Sequence, residues 1–108
     1  MKIDGRRYTR YPMDTKVRAV AGAKTFDAQL KDVSASGAAI AVAPQEMALF
    51  ENNQFVDLHM EGVGQRRGNI VRSLPGGYAL EFDEDEREKE RIADELEEFH
   101  RNLRQDEY

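Results

Sequence analysis

Two short groups of side chains in the first third of the chain have the chemistry needed to hold a small anion. The first is an Arg-x-x-x-Arg element made by Arg6 and Arg10, with Arg7 between them. A guanidinium is a planar fork that donates two hydrogen bonds at once to a phosphate or to the O6 and N7 edge of guanine, and it also stacks on base faces. Taken alone, a basic run of this kind is more typical of a solvated arm.

The second group is the sequence Asp-Val-Ser-Ala-Ser-Gly at residues 32–37. The Asp32 carboxylate and the Ser34 hydroxyl can accept hydrogen bonds from donors such as guanine N1–H and N2–H₂. Gly37 would let the backbone turn tightly beneath a ligand. The same residue types are also typical of an ordinary turn, in which Asp and Ser bond nearby amides and Gly adopts positive φ.

Short strands separated by Gly and Pro turns must position these groups. Alternating or continuously apolar runs predict six strands, at residues 16–21, 26–31, 37–43, 55–60, 65–74 and 78–82. Residues 44–53 are expected to form a helical turn. Residues 1–12 show no periodicity and end in Tyr11-Pro12, which predicts an arm that runs into the first strand. The pattern indicates a small antiparallel barrel or sandwich.

A single helix is predicted after Asp83, where the period changes. Its apolar stripe is formed by Ile92, Leu96, Phe99 and Leu103. Asp83 and Glu86 resemble a capping pair, and Glu97 and Arg101 have the spacing of an exposed ion pair. The stripe must pack either on the strands or against a second copy of the chain.

Composition limits the classes of protein that this chain can belong to. It has 108 residues, which favours one domain with one modest core. It lacks both a run of roughly 18 apolar residues and an apolar segment after its Met-Lys start, so we expect neither a membrane span nor a secretory leader. With no cysteine, disulfides and thiol catalysis are excluded, and we expect a cytoplasmic protein.

The net charge of −5 is unevenly distributed. Residues 1–82 carry 11 Lys and Arg against 9 Asp and Glu, whereas residues 83–108 carry 5 against 12. The region with the two candidate groups is therefore slightly basic, and the acidity belongs to the predicted helix. The total disfavours long nucleic acids, which respond to the whole field, but it does not exclude a small dianion.

Together, in this order and among these strands, the motifs resemble the PilZ domain, a small bacterial β-barrel family that binds the second messenger cyclic di-GMP. The resemblance rests on Arg6 and Arg10, on Tyr11-Pro12, on Asp32, Ser34 and Gly37, and on the closing segment 77–82. It covers about residues 5–83. It implies a mainly β fold, with a six-stranded antiparallel barrel and its N-terminal arm (residues 1–12) at 1–83 and an acidic amphipathic helix at 84–108.

The resemblance also implies roles for the two motifs in binding cyclic di-GMP. Arg6 and Arg10 would contact phosphate and guanine, Asp32 and Ser34 would contact guanine, and Gly37 would supply the backbone element. Arg7 would either face solvent or add a phosphate contact. Binding would order the arm over the barrel and change the surface offered to a downstream protein, without a cofactor, a metal or catalysis.

Two other functions remain open from the sequence. One is a protein-interaction module of the same fold that binds no nucleotide and works through its helix, whose stripe could also make a homodimer. The other is a barrel that binds single-stranded nucleic acid. Only the basic arm and Arg66-Arg67 support this function. Tyr8 and Tyr11 are expected to pack on the barrel, His59 to be structural, and His100 and the strand arginines Arg66, Arg67 and Arg72 to face solvent.

Overall fold

Six antiparallel strands close into a barrel. The computed structural model describes residues 8–49, 51, 53–60 and 64–105. The strands are β1 (Tyr11–Ala21), β2 (Lys24–Val33), β3 (Gly37–Ala41), β4 (Phe55–Met60), β5 (Gly64–Leu74) and β6 (Gly77–Phe82). They pair in the order β1-β2-β3-β6-β5-β4, and β4 pairs with β1 to close the sheet. The predicted fold class is confirmed.

The strand boundaries differ from the predicted ones where flanking residues extend or shorten the ladder. β1 begins at Tyr11, five residues before the alternating run predicted at 16–21, so the end of the predicted arm is already a strand. β3 ends at Ala41 instead of residue 43. A 3-10 helix, Pro44–Leu49, forms part of the helical turn predicted over 44–53, and Phe50 of that turn lies outside the described residues.

Alternate residues of the strands fill the barrel. On β1, Val17, Ala19 and Ala21 are buried while Arg18 between them is exposed, as the period-two pattern predicts. Three branched side chains from different strands, Leu30, Leu58 and Ile70, are fully buried. Their burial removes apolar surface from water, which is the main stabilising term of a domain this small.

The C-terminal helix α1 (Glu86–Gln105) packs on the barrel. Ile92 and Leu96 of the predicted stripe are each only 2% exposed and belong to the same buried cluster as the strand residues. Two members of the stripe are thus covered within the chain. Among the described residues, no helix is long and apolar enough to cross a bilayer. The division of the chain at residue 83 stays a prediction.

The helix begins two residues later than the predicted capping pair implies. The backbone N–H of Asp83 donates to the Arg67 carbonyl of β5 at 3.0 Å, so Asp83 is still attached to the barrel wall just after β6. Asp85 is the cap instead, because its Oδ1 accepts the N–H of Glu88 at 2.8 Å. The predicted capping role of Asp83 and Glu86 is therefore wrong. The predicted pair of Glu97 and Arg101 is confirmed at 3.3 Å.

These contacts make the two aspartates a matched pair for a stability test. Asp85→Ala removes the cap and should lower the free energy of unfolding by about 1 kcal/mol. Asp83→Ala removes the same charge without touching the cap and should stay within about 0.5 kcal/mol of the unchanged protein. Urea unfolding followed by circular dichroism measures both, and equal losses would contradict Asp85 as the cap.

Candidate functional site

The start of β1 brings one residue of each candidate motif together. Tyr11 pairs with Val33 and Pro12 pairs with Asp32, so Arg10 lies beside the end of β2. Its Nη1 donates to Asp32 Oδ1 at 2.7 Å, with the two side chains 47% and 34% exposed. Arg10 and Asp32 are 22 residues apart in sequence and form a solvent-accessible ion pair at one end of the barrel wall.

Irregular pairing surrounds Asp32. The β1–β2 register shifts between Pro12 and Thr15, and the β2–β3 register shifts between Leu30 and Asp32. Such bulges bend strands and re-aim side chains, which is common beside functional sites. They also bring Asp14 to β2, where it accepts from Gln29 Nε2 at 2.9 Å and Lys31 Nζ at 3.2 Å. These contacts lower the pKa of Asp14. The hydrogen bond from Gln29 has the largest effect, and the hydrogen bond and positive charge of Lys31 add to it.

Ser34 holds the turn that follows Asp32. Its hydroxyl accepts the Ser36 N–H at 3.1 Å and lies 3.2 Å from the Ser36 hydroxyl, while its own N–H donates to the Gly37 carbonyl at 2.8 Å. Ser34 is 1% exposed. The sequence at 32–37 is thus the hydrogen-bonded turn that its composition indicates, and the guanine contact predicted for Ser34 stays a prediction.

Gly37 is required for a different reason from the positive φ expected in a turn. The glycines with positive φ among the described residues are Gly22, Gly64 and Gly76, so that expectation for Gly37 is wrong. A Cβ at Gly37 would instead overlap the carbonyl oxygen of Leu80 on β6. The glycine permits the close approach of β3 to β6 directly behind the turn.

The arginines at positions 6 and 7 lie outside the described residues, but both tyrosines of the region are placed. Tyr8 and Tyr11 pack against the core cluster, as predicted. Each also contacts α1, Tyr8 through Glu86 and Tyr11 through His100. His100 is therefore half-buried against a ring and does not simply face solvent. Sequence periodicity could not reveal these contacts, because they join side chains more than 75 positions apart.

The strand arginines separate into two kinds. The side chain of Arg66 is only 14% exposed and lies 3.5 Å from Glu95 of α1, so the predicted solvated role is wrong for Arg66. Arg67 is exposed as predicted and pairs with Asp57 at 3.3 Å on the β4–β5 wall. In the part of the chain that the structure describes, no group of three or more His, Cys, Asp or Glu could hold a metal ion.

Comparison with known families identifies the fold. The family model described as PilZ domain matches residues 4–98, most of the chain. A search of curated proteins found no match.

Solved structures with the same fold include ligand complexes. The complex of MrkH with c-di-GMP from K. pneumonia has a TM-score of 0.67 and 11% identity, covering 98% of this chain and 57% of that one. The PilZ domain of CeSA from a cellulose-synthesizing bacterium has a TM-score of 0.60 and 19% identity, covering 82% and 93%. The complex of PlzA from Borreliella burgdorferi with c-di-GMP has a TM-score of 0.61 and 15% identity, covering 85% and 41%. At these identities the likeness concerns the fold.

The steric role of Gly37 gives a stability test. Gly37→Ala should lower the free energy of unfolding by about 3 kcal/mol, because β3 must move away from the Leu80 carbonyl. Gly76→Ala is the control: its φ is +76° and nothing lies within 4 Å of the added Cβ, so only backbone strain of about 1 kcal/mol is expected. Denaturant unfolding measures both, and a Gly37→Ala loss no larger than that of Gly76→Ala would overturn the steric explanation.

Proposed function

The chain belongs to the PilZ domain family, and from this premise we propose that it is a cyclic di-GMP receptor. The observation that carries the proposal is the contact of Arg10 with Asp32, which joins one residue of the Arg-x-x-x-Arg element to one of the Asp-x-Ser-x-x-Gly element. A donor fork and a carboxylate lie side by side, exposed to solvent. That pair of groups suits a ligand which offers both acceptors and donors.

Guanine offers both on adjacent edges of one base. Its O6 and N7 accept from a guanidinium, while its N1–H and N2–H₂ donate to a carboxylate. We propose that in the complex Arg10 takes the first edge and Asp32 the second, each exchanging its present partner for the base. Because both groups are partly exposed, their mutual ion pair is worth at most about 1 kcal/mol, and the exchange costs little.

The remaining arginines of the arm are proposed to meet the ligand's two phosphodiester charges. Arg6 pairs with phosphate, and Arg7 either adds a phosphate contact or faces solvent. Fixing the backbone of a residue costs about 1–2 kcal/mol, so the arm closes only if charge-assisted bonds, worth about 1.5–3 kcal/mol each, offset the cost. Binding would then order the arm over the barrel and alter the surface offered to a downstream protein.

The turn residues support Asp32 in this proposal. Ser34 and Gly37 hold the backbone of residues 32–37 through the Ser34–Ser36 hydrogen bonds and the close β3–β6 approach. Ser34 is proposed to reach guanine in the complex as the family resemblance implies. The receptor acts by binding alone, in the cytoplasm, with no cofactor besides its nucleotide ligand.

The other functions considered from the sequence gain less support. An interaction module working through the helix stripe needs apolar side chains to be available, and Ile92 and Leu96 are instead buried on the barrel. A polymer of nucleic acid would face the acidic residues 83–108. Neither function has a specific observation in its favour.

Isothermal titration calorimetry with cyclic di-GMP tests the proposal. Arg10→Ala should weaken binding at least about thirtyfold, because a charge-assisted bidentate contact of about 2–3 kcal/mol is lost. Asp32→Ala should weaken binding less, about tenfold, because the loss of one acceptor is partly offset by the release of Arg10.

A matched ion pair elsewhere on the barrel supplies the control. Arg67 and Asp57 pair at 3.3 Å on the β4–β5 wall, and the arginine is more exposed there than Arg10 is in its own pair. Arg67→Ala and Asp57→Ala should leave the affinity within about twofold of the unchanged protein. Unchanged affinity in both Arg10→Ala and Asp32→Ala, or losses that the control pair reproduces, would rule out this site.

A further inference from the structure

The two tyrosines on either side of Arg10 are both attached to α1. The Tyr8 hydroxyl donates to Glu86 Oε1 at 3.0 Å. The Tyr11 ring lies against His100, with ring centroids 5.0 Å apart and planes inclined at 46°. Arg10 therefore lies within a stretch of four residues, 8–11, whose two ends both contact the same helix.

The helix that these tyrosines contact is itself packed on the barrel. Glu86 is its first residue and His100 lies 14 residues further along, a distance of roughly 21 Å at the usual helical rise. Between them, Ile92 and Leu96 are buried in the barrel core. The anchors thus join the arm to the barrel at two separated points of a helix that is itself docked between them.

We propose that α1 positions the ligand-binding arm, with Tyr8, Tyr11, Glu86 and His100 as positioning residues that do not touch the ligand. The inference rests on the proposed function, because the arm's task is to present Arg10 to a nucleotide. Anchoring residues 8–11 in advance removes part of the conformational entropy that binding would otherwise have to offset. The anchors therefore strengthen binding from a distance.

Coupling of this kind is reciprocal. If the docked helix raises the affinity for the ligand by some factor, the bound ligand must favour the docked helix by the same factor. Ligand binding then stabilises α1 in its docked position. This helix belongs to the acidic part of the chain, residues 83–108. The helix α1 is therefore the element that transmits ligand binding to another protein.

Glu86 distinguishes positioning from simple electrostatics. A carboxylate near a dianionic ligand repels it, so by charge alone Glu86→Gln and Glu86→Ala should tighten binding equally. The glutamine side chain still offers an oxygen to the Tyr8 hydroxyl, whereas alanine offers none. Positioning therefore predicts that Glu86→Ala binds cyclic di-GMP about three- to tenfold more weakly than Glu86→Gln.

The second anchor has an equivalent pair of variants. His100→Phe keeps an aromatic ring for Tyr11 to contact, and His100→Ala removes it. We expect His100→Phe to bind within about twofold of the unchanged protein and His100→Ala to bind about three- to tenfold more weakly. Calorimetry on the full chain measures both, with circular dichroism to verify that α1 remains helical.

Hydrogen exchange supplies a readout that a merely structural role would not change. Saturating cyclic di-GMP should slow the exchange of α1 amides in the unchanged protein, and this slowing should shrink in Glu86→Ala and His100→Ala. If Glu86 and His100 had only a structural role, the α1 amides of their alanine variants would exchange faster by the same factor with and without ligand.

The possible results separate this inference from the proposed function. If the unchanged protein does not bind cyclic di-GMP, the proposed function fails and the inference falls with it. If it binds, but each alanine variant matches its Gln or Phe counterpart, positioning by α1 is overturned and the receptor function stands. Faster exchange of α1 on ligand addition would likewise overturn it.

Discussion

The ion pair between Arg10 and Asp32 is the interaction on which the organisation of the site depends. Both side chains are partly exposed, so the pair adds little to stability. Its position nevertheless depends on the whole barrel. The pairing of Pro12 with Asp32 sets the register, and Gly37 lets β3 approach β6 behind the turn. The fold thus holds two opposite charges at one end of a strand pair, where a ligand can reach them.

The placement of charge explains how an acidic chain is compatible with the proposed binding of an anion. The excess of carboxylates lies in residues 83–108, while the strands and arm are slightly basic. Exposed charges farther apart than about 8–10 Å are largely screened at physiological salt, so a small ligand responds mainly to nearby arginines. The helix that carries the acidity also closes the core through Ile92 and Leu96, and it touches the arm.

Much of the fold follows from local sequence, and the parts that do not are long-range. Alternation predicts β4 at its observed bounds, 55–60, because successive side chains of a strand point to opposite faces and the buried face therefore shows as every second residue. The turn at 32–37 follows from its Asp, Ser and Gly content. Position 37 requires glycine because of the Leu80 carbonyl on β6. Asp85 instead of Asp83 caps the helix because the backbone of Asp83 is hydrogen-bonded to Arg67 on β5. The Tyr11–His100 contact likewise needs the closed barrel before it can exist.

The most direct test of the proposed site is a solution NMR titration with cyclic di-GMP that follows the Arg10 guanidinium together with the backbone amides of residues 32–37. We expect these signals to shift together and to saturate at one ligand concentration, while the signal of the Arg67 guanidinium on the β4–β5 wall stays unchanged. Shifts that avoid Arg10 and the turn, or no shifts at all at millimolar ligand, would contradict it.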